Sequence, residues 1–250
     1  MKSKFHTFKE RRGVKRPVAL LIHGMSSTSR TWDATVVYLM RRGYNVVTVE
    51  LEGHGDSTRL ERYDFDIWID SIVSQLEGFD IAKIDLLIGH SLGGLLAAGV
   101  ACRVPTDKVL FIDPLLAVPP AMVRMVVKRM LRLKITATLP DLIEKFPTRE
   151  PQLLLHEYEA IQKWDIKCLE ALKPQDGWAI VKQFFALEVK PEAVLVRPDA
   201  SLLIPKRKAK FFNEHGIKVV TMEGVTHGLH LDKPEEFQAI LSELAEPVAV

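Results

Sequence analysis

The stretch Ile88-Gly89-His90-Ser91-Leu92-Gly93-Gly94 constrains this chain more than any other. It follows Ile84-Asp85-Leu86-Leu87-Ile88, a short branched apolar run that suits a buried strand. It precedes Leu95-Leu96-Ala97-Ala98-Gly99-Val100-Ala101, an Ala-rich run that suits a helix buried on most sides. A serine between two glycines, each two residues away, at a strand-to-helix junction has the form of a nucleophile elbow. The serine there takes strained backbone angles, and glycines at 89 and 93 remove the β-carbons that would collide across so tight a turn. With 14 glycines and 10 serines in 250 residues, G-x-S-x-G arises by chance about 0.03 times in such a chain. The flanking strand and helix make chance a poorer account still. Such a serine then requires a base, an acid and an oxyanion hole elsewhere in the chain.

The bulk numbers set the frame. A chain of 250 residues with 47% apolar content can bury one large core, with room for an inserted subdomain. A net charge of +2 implies no general affinity for nucleic acid or an anionic membrane. Cys102 and Cys168 are too few for a disulfide framework and share no metal-ligand spacing, so both read as reduced core thiols. Residues 1–16 are basic but lack the apolar core of a signal peptide. No apolar run reaches the ~20 residues that span a bilayer. The expectation is a soluble cytoplasmic protein, monomer or homodimer, with no cofactor, no metal and no nucleic-acid partner.

In order, Pro17–Ile22 reads as a buried strand ending at His23-Gly24-Met25. Thr31 can cap a helix that runs to about Arg42, where Gly43 stops it. Tyr44–Glu50 is a second strand, followed by the glycine-punctuated loop Leu51–Ser57. Residues 65–78 place Ile69, Ile72, Val73 and Leu76 on one helical face, and Lys108–Asp113 is the strand after the elbow helix. Strands alternating with helices at this spacing imply βαβ units and a mostly parallel, doubly wound α/β sheet. In such a sheet the loops at the C-terminal strand ends gather into one crevice, so the His23, Gly53, Ser91 and Asp113 loops should meet.

From Pro114 to about Asp176 the pattern turns helical, with pieces over 121–134, 139–146, 152–164 and 166–172. This gives a core domain in two parts, 1–115 and 177–250, around an inserted helical cap over 116–176. Residues 177–187 form a helix returning to the main layer. Strands resume at 193–197 and 217–222, a helix joins them over 205–215, and a helix from Pro234 to about Leu244 closes the chain.

These motifs, His23-Gly24-Met25, Gly53-His54-Gly55-Asp56-Ser57, Gly89-His90-Ser91-Leu92-Gly93 and Thr226-His227-Gly228, occur in an order that resembles the α/β-hydrolase superfamily over nearly the whole length. The resemblance implies that His227, in the loop after the last strand, is the base that activates Ser91. His230 is its competitor, read as packing beside the last helix. The acid that holds the base's tautomer commonly lies in the family four residues before a proline, after the strand that is here 193–197. That position is Ser201, which cannot serve. Asp199 is the one carboxylate of that loop and is the first choice, with Asp113 the second, since some relatives carry the acid one strand earlier.

The backbone N–H of Leu92, at a helix N-terminus, suits one oxyanion donor; the resemblance assigns the other to Met25. His23 reads as a loop brace, and His90 as a local packing or hydrogen-bonding residue. In the cap, Met122, Met125 and Met130 could line an adaptable apolar pocket. Lys128, Arg129, Arg132 and Lys134 read as a solvated basic face. The activity implied is hydrolysis of a carboxylic ester, thioester or lactone of a small to medium apolar substrate through an acyl-enzyme on Ser91. A serine nucleophile argues against dehalogenase and epoxide hydrolase chemistry, which in this family use a carboxylate. Hydrolysis of a carbon–carbon bond by the same residues, or a non-catalytic ligand-binding role, are the alternatives.

Overall fold

The computed structural model describes residues 1–7, 16–116 and 118–246. The basic stretch of the lead over 8–15 therefore lies outside the described residues. Seven strands form a single sheet: β1 (Lys2–His6), β2 (Val18–Ile22), β3 (Asn45–Glu50), β4 (Ile84–His90), β5 (Thr106–Ile112), β6 (Glu192–Pro198) and β7 (Lys218–Met222). Their order is β1-β3-β2-β4-β5-β6-β7, and every pair is parallel except β1 with β3. The expected parallel α/β sheet is thus present, with one antiparallel edge that the sequence did not announce.

Apolar side chains point to both faces of the central strands. On β2, Leu20 and Ile22 join one buried cluster while Ala19 and Leu21 join the other. Helices α2 (Phe65–Gly78), α3 (Leu92–Ala101), α7 (Pro174–Phe185) and α8 (Lys206–Glu214) cover the first face. Helices α1 (Asp33–Arg41) and α10 (Pro234–Leu244) cover the second. A strand buried on both sides has no polar face to alternate with, which is why these strands read as continuous apolar runs.

Helix α2 begins where Asp64 accepts the Ile67 N–H at 2.8 Å, and it buries Trp68, Ile69, Ile72 and Leu76 while Val73 is half-buried. Helix α3 buries every one of its residues. Thr31 does not cap α1. It sits inside a 3-10 turn, Ser29–Trp32, and its hydroxyl meets His230 Nε2 at 3.3 Å instead. Gly43 ends α1 with φ +92°, a conformation glycine reaches without strain.

Between β5 and β6 lie α4 (Pro120–Thr136), α5 (Leu139–Lys145), α6 (Pro151–Lys163) and a 3-10 turn, Ile166–Ala171. Leu142, Leu154 and Ile161 make a small apolar cluster of their own there. Helix α4 has no fully buried residue. Cys102 and Cys168 are free thiols, and burial pushes the Cys168 thiol upward. Among the described residues, no helix is long and apolar enough to cross a membrane.

Candidate active site

Strand β4 ends at His90 and α3 starts at Leu92, leaving Ser91 alone at the corner with φ +54° and ψ −114°. Three backbone bonds hold it in that strained state. Its N–H donates to Ile112 O at 2.9 Å, and its carbonyl accepts from Gly94 at 3.0 Å and Leu115 at 2.9 Å. The two glycines are needed because the chain passes too close for side chains. A β-carbon on Gly89 would collide with the Gly93 carbonyl, and one on Gly93 with the backbone of Ile22 and His23. The strained serine is therefore imposed by the surrounding backbone.

The loop after β2 lies against this corner. A β-carbon on Gly24 would come within 3.1 Å of the Ser91 Cβ and 3.0 Å of His90 Nδ1. Met25 follows at once in that loop, and Leu92 opens α3, where the first N–H groups of a helix have no acceptor within the helix. His23 braces the loop. Its Nε2 accepts the Leu51 N–H at 3.1 Å, so the proton sits on Nδ1, which donates to Gly24 O at 2.8 Å. The Gly53–Ser57 turn next to it carries the 50–58 segment to the helical insertion, whose Asp165 N–H donates to Gly53 O at 2.6 Å.

His227 lies in the loop after β7. His90 Nε2–H donates to its carbonyl at 2.9 Å, and the two rings are 4.7 Å apart between centroids, which sets the His227 loop alongside the elbow. The His227 ring is half exposed, and its Nδ1 meets Asp113 Oδ2 at 2.6 Å. Asp113, at the end of β5, is 2% exposed and adopts φ +37°; its N–H donates to Val196 O at 2.8 Å. The second carboxylate oxygen, Oδ1, accepts Ser201 Oγ–H at 2.5 Å, and Ser201 Oγ in turn accepts the Ile204 N–H at 2.8 Å.

Asp199 is not brought to His227. The last pairing of β6, Pro198 opposite Met222, continues into a bond from Asp199 N–H to Met222 O at 2.9 Å. That extension leaves Asp199 exposed beside Arg197, Lys206 and Thr221 in a separate polar groove of about 550 Å³. Only two residues later does the chain turn inward, and it then presents Ser201. The expected geometry at Asp199 is accordingly corrected: the carboxylate that meets His227 is that of Asp113, the second choice. The sign in the sequence was the Ile112-Asp113-Pro114 ending of β5.

Burial lowers three further imidazoles, of which His90 packs on His227 and His230 on His90. Burial holds His90 well below the ordinary histidine value, helped by the neighbouring His227 and His230 rings. Burial pushes His230 down to about 3, aided by the nearby Arg149 cation, and its ring stacks on Trp32 at 4.8 Å. Burial also holds His54 well below the ordinary value, with His23 adding to the effect. Neither His230 nor His54 is placed as a base. Among the described residues, no group of three or more His, Cys, Asp or Glu side chains is arranged to hold a metal ion.

A small apolar cavity of about 20 Å³ lies behind the elbow, lined by Leu95, Leu115, Val118, Val123 and Val126 among others. Leu115 is the residue whose N–H grips the Ser91 carbonyl. The methionines of α4 do not line it. Met122 and Met130 lean on the core, and Met125 is largely exposed.

Known proteins share the family and the fold of this chain. Residues 19–240 match the model of the alpha/beta hydrolase family. A bifunctional esterase/perhydrolase of Acinetobacter calcoaceticus is 33% identical over 109 residues, covering 43% of this chain and 39% of that protein. A biotin biosynthesis bifunctional protein of Cellvibrio japonicus is 28% identical over 94% of this chain and 48% of its own length. The chain thus spans less than half the length of these two curated relatives. Among solved structures, a carboxylesterase study of Nitrososphaera gargenis gives a TM-score of 0.77 at 18% identity, covering 96% of this chain and 93% of the other. The enol-lactonase of Burkholderia xenovorans gives 0.75 at 15% identity, covering 97% and 95%. At such identities the likeness is one of fold.

Proposed function

The chain belongs to the α/β-hydrolase family, and on that premise we propose that it is a serine hydrolase of carboxylic esters, thioesters or lactones. The observation that carries the reading is the 2.6 Å contact between His227 Nδ1 and the buried Asp113 carboxylate, in a loop tied by His90 to the strained Ser91. A serine hydroxyl is a poor nucleophile until a base removes its proton. With Nδ1–H committed to Asp113, the free Nε2 of His227 is the nitrogen left to accept a proton.

In the first half-reaction Ser91 Oγ attacks the substrate carbonyl carbon and His227 Nε2 takes the Oγ proton. The resulting imidazolium is stabilised by the Asp113 carboxylate, which itself stays ionised. Charge develops on the carbonyl oxygen, and the backbone N–H groups of Met25 and Leu92 are the donors assigned to it. Collapse expels the alcohol, thiol or ring oxygen, which takes the proton from His227. In the second half-reaction water gives a proton to His227 and attacks the acyl carbon, and Ser91 leaves with that proton restored. Asp113 thus serves as acid partner in place of Asp199.

An esterase among the relatives and a lactonase among the structural neighbours support an ester or lactone as substrate. Val123 and Val126 of α4, in the helical insertion, share a small apolar cavity with Leu95 and Leu115 next to the elbow, which supports reading 116–176 as a cap beside the site. A non-catalytic binding role would be favoured if no carboxylate met His227, and the Asp113 contact opposes it.

A fluorophosphonate probe tests the reading. Ser91 should be labelled in the folded protein, and Ser91→Ala should abolish both labelling and 4-nitrophenyl acetate hydrolysis with an unchanged melting temperature. A folded parent protein that is not labelled at Ser91 overturns the proposal.

A further inference from the structure

Arg149 stands in the turn between α5 and α6, yet its guanidinium is buried and reaches the loop that carries His227. Its Nη1 donates to both carboxylate oxygens of Glu157 on α6, at 2.7 and 2.6 Å. Its Nε and Nη2 both donate to Asp232 Oδ1, at 2.8 and 2.6 Å, and Nη2 also approaches Thr226 Oγ1 at 3.3 Å. The ring of Phe146 lies 3.9 Å beneath the cation. Asp232 uses its other oxygen, Oδ2, on Thr226, accepting the backbone N–H at 2.6 Å and the hydroxyl at 2.7 Å. One guanidinium therefore joins two helices of different parts of the chain, α6 and the short α9 (Leu229–Asp232), to the residue directly before His227.

We propose that Arg149 is a positioning residue for the base: through Asp232 it fixes Thr226 and hence His227, so that the base is held in place only while the helical insertion is docked. This rests on the reading of His227 as the catalytic base. Glu223, Gly224, Thr226 and His227 are all exposed and only Val225 between them is buried in the core, so the course of the segment from Thr226 onward depends on its polar contacts. Its polar anchors include the Asp113 contact with the His227 ring and the His90 bond to the His227 carbonyl on one side and the Asp232 pair on Thr226 on the other. A displacement of about 1 Å in a catalytic group can cost ~10²-fold in rate. Arginine suits the role where lysine does not, because its planar fork reaches Asp232 and Glu157 in two directions at once.

Arg149→Lys keeps the charge but cannot span both carboxylates, and Asp232→Asn keeps the shape but weakens both contacts. Each variant is expected to lower kcat on 4-nitrophenyl acetate by about 10- to 100-fold with KM within about threefold. The double variant should be no slower than the slower single one, as members of one linkage behave. Amide exchange at Thr226 should quicken at least about tenfold, in line with loss of its bond to Asp232, while exchange along β4 and α3 stays as in the parent. Unchanged kcat, a loss carried by KM, additive losses, or unchanged Thr226 exchange overturns the proposal. If Arg149→Lys does not fold, Asp232→Asn is read by the same criteria. If the parent itself fails to label at Ser91, the hydrolase reading fails by that result, and the Arg149 linkage is then judged by Thr226 exchange alone.

Discussion

Asp113→Asn is the sharpest test of the site, because the structure leaves the new carboxamide no satisfactory orientation. The native carboxylate only accepts: one oxygen from His227 Nδ1–H at 2.6 Å, the other from Ser201 Oγ–H at 2.5 Å. An amide has one acceptor and one donor end. If its NH2 faces His227, two donors oppose each other and the imidazole must shift its proton to Nε2, the nitrogen needed as base. If its NH2 faces Ser201, the serine oxygen, already accepting from Ile204 N–H at 2.8 Å, is offered a second donor and loses its acceptor. In either orientation the negative charge that stabilises the imidazolium is gone. The comparable change in a serine protease lowers kcat about 10⁴-fold, or about 5.5 kcal/mol of barrier at ~1.36 kcal/mol per decade. We expect a loss of 10³- to 10⁴-fold in kcat on 4-nitrophenyl acetate for Asp113→Asn, and less than about threefold for Asp199→Asn, whose side chain is exposed in a separate groove. Steady-state kinetics with melting temperatures on both variants decide it. A folded Asp113→Asn within tenfold of the parent, or a large loss in Asp199→Asn, refutes the assignment.

Two pH effects follow from the buried groups. His54, His90 and His230 have folded values lowered by burial, the last to about 3, so between that value and the unfolded ~6.5 the unfolded chain binds protons that the folded chain does not, and stability falls as pH falls. Three such groups give a slope of at most about 4 kcal/mol per pH unit near pH 5, so urea midpoints should drop steeply from pH 7 to 5; a flat midpoint over that range contradicts it. Lys208, whose half-buried ammonium donates to the carbonyls of Leu116 at 3.1 Å and Leu203 at 2.7 Å, is lowered to about 8 by desolvation. After reductive ¹³C-methylation one lysine NMR signal should titrate near that value and vanish in Lys208→Arg, and titration of every signal above 10 would refute it.

Much of the fold was legible because buried parallel strands and amphipathic helices leave a plain periodic trace. Residues 65–78 and Pro234–Leu244 are helical over the expected spans. Strand β1, Lys-Ser-Lys-Phe-His, was missed for a physical reason. It lies at the sheet edge with a single partner, and it contributes Phe5, against Phe79, with Ser3 bonded to Gln75 at 2.6 Å. A strand that buries so little need not look apolar. Arg149 left no trace at all, since Thr148-Arg149-Glu150-Pro151 reads as a polar turn, and its partners are 8, 77 and 83 residues away. The Ser91 corner was visible because steric necessity wrote glycines around it; ion-pair networks write no such local signature.

The Asp113–Ser201 pair shows how two neighbouring loops can serve one place in space. Strands β5 and β6 are parallel neighbours, with Ile112 opposite Val196, so the loops leaving their C-terminal ends face the same point. Asp113 N–H donates to Val196 O at 2.8 Å, which fixes one loop directly upon the other strand. The position four residues before Pro205 still reaches that point, but it delivers a hydroxyl. A serine there is of use only if something nearby accepts its proton, and the Asp113 carboxylate does so at 2.5 Å. The carboxylate in turn needs a donor for the oxygen not used by His227, because a buried anion left half-satisfied is costly. Ser201 and Asp113 therefore make each other tolerable: the carboxylate comes from the end of β5, and the residue in the β6 loop supports it. A rule counted along the chain looks for the carboxylate at one loop. The sheet specifies a place between two loops, and either can fill it.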